Sequence, residues 1–291
     1  MIARLVLFLV LATVCPVFAA EAPMSSDAPG GRIVRCAVIG GMSMTTGLWE
    51  EITRMFEADT GYKVVVVSAG QRPKLAESLR KGEVDLLTMH SGDITTDQVA
   101  DGFGVNMRPW TRNDLVIVGP ASDPAKIAGM TDGAEALKKI AKAQANFVDI
   151  QDIGARELSH TLWKRVGIHP QGKWYLKDES GGHLDFIGFA ARHNAYLVFG
   201  RMPITMGKVS SHNMKILVER DPTMKRPYIV MEANPLMFPK ANVKGARALS
   251  NYLLSEKIQK FIADYGKDKN GGFPFFYPVS PMAIKYASQN Q

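Results

Sequence analysis

From Ile33 onward the chain alternates short β-branched apolar runs with segments whose apolar residues fall on one helical face, and this alternation constrains the fold more than any other feature. Ile33 to Ile39 reads as a strand. Thr46 to Thr60 places Leu48, Trp49, Ile52, Met55 and Phe56 on one face of a helix that Gly61 stops. Val64 to Val67 is a second strand, Pro73 to Lys81 a short helix opened by Pro and closed by Gly82, and Val84 to Met89 a third strand. A βαβαβ unit with continuous apolar strands predicts a parallel sheet covered on both faces.

Leu115 to Val118 is a fourth apolar strand, and G-P-A-S-D-P-A, Gly119 to Ala125, interrupts the pattern. A second alternating set follows: helix Gly133 to Ala143, strand Asn146 to Ile150, helix Ala155 to Val166, a helix near Leu184 to Ala191, then strands Ala195 to Phe199 and Lys215 to Val218. R-D-P-T-M-K-R-P, Arg220 to Pro227, interrupts it again before strand Tyr228 to Met231 and two C-terminal helices. Two punctuated connections around a middle α/β unit predict one lobe inserted into another. The expected boundaries are 32–118 for the first part of lobe 1, 119–223 for lobe 2, and 224–291 for the return to lobe 1.

Residues 1–20 carry one Arg, an apolar run of signal-peptide length and a V-F-A or F-A-A cleavage site, which predicts export through a cleaved signal peptide. Cys15, between Val14 and Pro16, is too early and in the wrong context for a lipid anchor. Residues 21–31 form a polar leader with nothing to bury. Only Cys36 survives processing, so no intramolecular disulfide forms, and its place in I-V-R-C-A-V-I makes it a small core residue. Loss of Arg4 lowers the formal charge from +7 to +6, a modest excess that can concentrate an anionic solute. No basic run or basic-aromatic strip points to nucleic acid.

Ligand sites in such sheets lie beyond the carboxyl ends of the strands. Three loops fall there. V-I-G-G-M-S-M-T-T-G, Val38 to Gly47, offers backbone N–H groups at a helix start with Gly41, Met42, Ser43, Met44 and Thr45 as candidate contacts; it serves either an anion or only the cap of the next helix. S-A-G-Q-R-P adds Gly70, Gln71 and Arg72, the last a bidentate oxyanion donor placed against its helix dipole. T-M-H-S-G-D adds His90 and Ser91. The six histidines have no zinc-type spacing, and the dinucleotide, P-loop and nucleophile-elbow motifs are missing, so the sequence predicts neither metal, cofactor nor catalysis.

Further residues resemble the periplasmic tungstate-binding proteins of ABC importers: Phe103 to Asn106, Asn113 to Pro120 with Asp123-Pro124, Ala136 to Ala141, Leu162 to Lys164 with Gly167-Ile168, Gly172 to Tyr175, and Phe261 to Lys269. The similarity spans nearly the whole mature chain. It implies an α/β, two-lobed type II periplasmic binding fold, each lobe a mainly parallel sheet flanked by helices, with two crossover strands. It also implies a monomeric receptor that captures a small anion by lobe closure and delivers it to an ABC permease in the inner membrane, without a catalytic step. The ligand loops depart from the family pattern. Its Thr-Thr-Thr-Ser run falls on Ile39, Gly40, Gly41 and Met42, and its Ser-Gly-Thr on Ile153, Gly154 and Ala155. Gly154, Arg156 and Arg201 join the candidate contacts through this resemblance. The thinned hydroxyls and added methionines suit a small organic anion at least as well as an oxyanion, and a periplasmic ligand sensor on the same scaffold is the other alternative.

Overall fold

The alternation read from the sequence is realised in a computed structural model that describes residues 31–151, 153–178, 185–208 and 210–289. The expected signal peptide, almost all of the leader, and the start of the helix near Leu184 lie outside these residues. β1 (Ile33–Ile39), β2 (Lys63–Gly70) and β3 (Leu86–His90) pair in parallel, with β1 in the middle. Helices α1 (Leu48–Thr60) and α2 (Arg72–Arg80) connect them, and α3 (Asp93–Ala100) follows β3. Leu48, Trp49, Ile52 and Phe56 of α1 are buried, the face that the sequence periodicity marks. β2 is the last strand of the sheet, and its Val65, Val66 and Val67 stay partly exposed, so the expectation of cover on both faces fails there.

The largest departure from the sequence reading is β4, which runs from Gly104 to Pro120 instead of starting at Leu115. Its first half, G-V-N-M-R-P-W-T-R-N-D, lacks an apolar run because two register shifts, one spanning Asn106 and Met107 and one beside Trp110, break the inward-outward alternation. This half pairs antiparallel with β9 (Lys225–Ala233), and β9 pairs antiparallel with β3. The second half of β4 pairs with β7 (Leu197–Gly200) and β8 (Met214–Val218). The strand order is therefore β2-β1-β3-β9-β4, closed by the short β10 (Tyr277–Pro278), with β7 and β8 on the far half of β4.

Two buried clusters result. The first gathers β1, β3, α1, α2 and β9 with α8 (Val243–Leu253) and α9 (Glu256–Asp264). The second gathers Leu115–Val118 of β4 with α4 (Gly133–Ala143), β5 (Phe147–Asp149), α5 (Ile153–Arg165), α6 (Phe186–Arg192) and β7. β5 forms a small parallel pair with β6 (Tyr175–Lys177). α7 (Arg201–Thr205) follows β7, and α10 (Pro281–Gln289) ends the described chain. Cys36 is fully buried and unpaired, and burial raises its thiol pKa. Trp110 and Trp163 are core residues, and the Trp110 indole N–H donates to Thr88 Oγ1 at 2.9 Å inside the first core.

Because Trp110 and Thr88 are both fully buried, Trp110→Phe removes a donor that the Thr88 hydroxyl cannot replace with water. Urea unfolding should show a loss of about 1–3 kcal/mol; an unchanged midpoint would contradict the role assigned to this bond.

Candidate functional site

The three parallel strands end at one edge of the sheet. Ile39 of β1 lies opposite Gly70 of β2, and Val38 lies opposite Thr88, two residues before the end of β3. The loops after β1, β2 and β3 therefore open at the same place, where open α/β sheets hold ligands. β9 runs the other way, so its first residues arrive at this edge, with Tyr228 directly opposite His90.

The first loop is a single π-helical turn, Gly41–Thr45, followed by Gly47 in the left-handed region as the cap of α1. Its hydroxyls are largely engaged locally. Ser43 donates to Glu50 at 2.9 Å, while Thr46 Oγ1 donates to the Met42 carbonyl at 3.0 Å and accepts the Leu48 N–H. Thr45 is half-buried, and Gly41 and Met44 are exposed. Met42 corrects the sequence expectation: it is fully buried in the first core and packs the turn instead of lining a cleft.

Arg72 is the first residue of α2 and is buried. Its guanidinium lies along Gly92, where an added Cβ would come within 2.7 Å of a terminal nitrogen, and it donates to Glu157 of α5 at 3.4 Å. Arg226 of β9 donates to the other Glu157 oxygen at 3.1 Å. Its other terminal nitrogen occupies the space of a side chain at Gly154: a Cβ there would lie only 1.6 Å away. Gly154 thus lets a guanidinium cross the first turn of α5. The two arginine side chains are only 7% and 13% exposed, whereas that of Glu157 is 48% exposed. The positive charges are built into the protein, and the carboxylate reaches them from its rim.

His90 completes this group. Its ring lies 4.1 Å from that of Tyr228, and its pKa is held well below the usual 6.5, first by desolvation and then by Arg226 and Arg72. The imidazole is neutral at pH 7 and adds no charge of its own. The backbone N–H of Ser91 donates to the Pro227 carbonyl at 3.0 Å, tying the third loop to β9. Gly70, with φ +139°, ends β2, and the exposed Gln71 follows it as the residue before α2.

Two predicted contacts are engaged elsewhere. Arg156 pairs with the buried Asp149 at 3.1 Å, which also meets His160 at 3.1 Å. Arg201, at the start of α7, is buried between Asp114 at 2.8 Å and Glu219, with its guanidinium 4.2 Å from the centre of the Phe273 ring. Neither arginine is left uncompensated. Conversely, Arg226 and Glu157 are absent from the sequence-derived set; the only trace of the first was a basic pair before Pro227 at the edge of a strand.

The solved tungstate-binding protein TupA from Desulfovibrio alaskensis G20 is similar to this chain, with a TM-score of 0.72 and 29% identity over 86% of this chain and 100% of that one. The tungstate ABC transporter structure from Geobacter sulfurreducens gives a TM-score of 0.66 and 30% identity over 80% and 98%. Residues 37–267 match the bacterial extracellular solute-binding protein family. The chain belongs to that family. The tungstate-binding protein TupA of Peptoclostridium acidaminophilum is 32% identical over 87% of this chain and 91% of its own length. The type II periplasmic binding fold and its two crossover strands, β4 and β9, are accordingly those of a solute-binding protein. Among the described residues no helix is long and apolar enough to cross a membrane.

Because folded His90 resists protonation while the unfolded imidazole takes a proton near pH 6.5, the unfolded state binds more protons below that pH. Stability should fall as pH drops below 6.5, and His90→Gln should lessen that fall in urea unfolding. Parallel pH profiles for both proteins would refute the neutral state of folded His90. Arg201→Ala strands a buried Asp114 carboxylate and should cost about 3–5 kcal/mol in the same assay.

Proposed function

We propose that this protein is an exported, monomeric receptor that captures a small oxyanion of the tungstate or molybdate type and delivers it to an ABC permease of the inner membrane. The two lobes of this reading are residues 32–118 with 224–291, and residues 119–223, after removal of a signal peptide at 1–20; the boundary shifts at its edges, because Leu115–Val118 of β4 and Met224 pack in the second core. The periplasm is its place of action, and the bound anion leaves chemically unchanged.

The observation that carries the reading is the convergence of Arg72 and Arg226, both largely buried, on one carboxylate between the two cores. Two guanidiniums at a shared point form a seat for a divalent oxyanion, since each offers paired N–H donors. The edge position of three strand-end loops and the tungstate-binding relatives support the same choice. The alternative, a small organic anion, rests on the thinned hydroxyls of the loops and on the apolar Met42, Met44 and Ile153. Burial of Met42 in the core removes one of these supports.

Calorimetric and thermal-shift titration with sodium tungstate and sodium molybdate tests this. At a hundredfold excess over Kd the folded protein should gain about 2.7 kcal/mol. Arg72→Ala and Arg226→Ala should each weaken binding by at least tenfold, from the loss of a charge-assisted hydrogen bond of about 1.5–3 kcal/mol. No shift with either salt at millimolar concentration would sink the oxyanion reading.

A further inference from the structure

We propose that Glu157 is a built-in occupant of the anion seat: its carboxylate bridges Arg72 and Arg226 in the empty protein, latches the two cores together, and must be displaced when ligand enters. This inference rests on the anion seat proposed above and adds how that seat is regulated.

Three features of the geometry carry it. Arg72 starts α2, a helix of the first core, while Glu157 lies on α5, a helix of the second, so their contact spans the two. Each Glu157 oxygen serves a different arginine, Oε1 facing Arg72 and Oε2 facing Arg226, so the carboxylate presents its two oxygens much as a bound oxyanion would. The exposures are also unequal: the two arginine side chains are largely buried and the Glu157 side chain is half exposed. An anion between two largely buried like charges offsets their mutual repulsion. A half-exposed side chain on the helix surface can supply one and swing out to water without unfolding anything.

A tethered carboxylate competes as an intramolecular ligand at millimolar or higher effective concentration. It lowers the observed affinity for every anion by one factor, the equilibrium constant of the latched over the unlatched empty state. That factor also sets how much of the empty protein is held shut. For a pair screened by solvent on the carboxylate side, about tenfold is the expected size.

The test compares wild type with Glu157→Gln and Glu157→Asp, each folded as judged by circular dichroism. Small-angle X-ray scattering of the ligand-free proteins is the first measurement. Wild type should be compact, and both variants should show a larger radius of gyration, because Gln lacks the charge and Asp lacks the reach to serve both arginines. The second measurement is sodium tungstate affinity by calorimetry, which should rise about tenfold in both variants. Equal radii of gyration in all three ligand-free proteins would overturn the latch. So would an Asp variant that scatters and binds like wild type, since a gain confined to Gln reports only removal of a repelling charge. If the variants open while no protein binds tungstate, the latch stands and the oxyanion reading alone fails.

Discussion

Arg201 places a full positive charge where almost no water reaches, and the fold tolerates it because two carboxylates, one from β4 and one just after β8, meet it there. Asp114 comes from the point where β4 passes from one core to the other, and Glu219 follows β8. Phe273 covers the guanidinium, and the Tyr277 hydroxyl donates to the same Asp114 oxygen at 3.4 Å. One charge thus ties the crossing of β4 to the second core and to the C-terminal segment. Breaking a buried network of this kind costs more than any single surface pair, because the remaining charge has no solvent to turn to. The relative placement of the cores, and with it the approach of α5 to α2, depends on that anchoring.

The parallel unit β1-α1-β2-α2-β3 was legible because its strands are short, mainly apolar runs and α1 has one apolar stripe. The first half of β4 was not. Its side chains include Asn106, Arg108, Arg112 and Asn113, and the register shifts remove the alternation that would have marked a strand. The loop after β1 was placed correctly at a strand end, but its conformation was hidden: a π turn with Met42 inward leaves no periodic signature in five residues. Of the arginines, Arg72 could be singled out because a positive charge at a helix start opposes the dipole. Arg156 and Arg201 looked equivalent to it in sequence, and only folding shows that Asp149, Asp114 and Glu219 already hold them. Arg226 and Glu157 were invisible for the converse reason. Each sits in a polar stretch typical of solvated surface, and what makes them a pair is a contact spanning 69 residues.

Neutral His90 has a place in this arrangement. A third positive charge beside Arg72 and Arg226 would raise the cost of the empty site, whereas an uncharged imidazole set against the Tyr228 ring, its plane tilted by 39°, fills the same volume without adding to it. Arg72 and Arg226 are both anchored on regular elements and both largely buried. Placement on a helix start and on a strand keeps their separation stiff, which suits recognition by charge and distance more than by adaptable loops.

The crossing of Arg226 over Gly154 has a consequence for how such a site can diverge. The guanidinium and a side chain at 154 claim the same volume, so the two positions are not free to vary one at a time. A descendant that acquires a hydroxyl or methyl at 154 must first shorten or redirect the residue at 226, and a descendant that shortens 226 opens a gap at the start of α5 that a larger side chain can fill. Inheritance at these two sites is coupled by exclusion. A guanidinium from one segment and a side chain from the other are alternative solutions to one piece of space, and a lineage moves between them by shortening or redirecting the residue at 226.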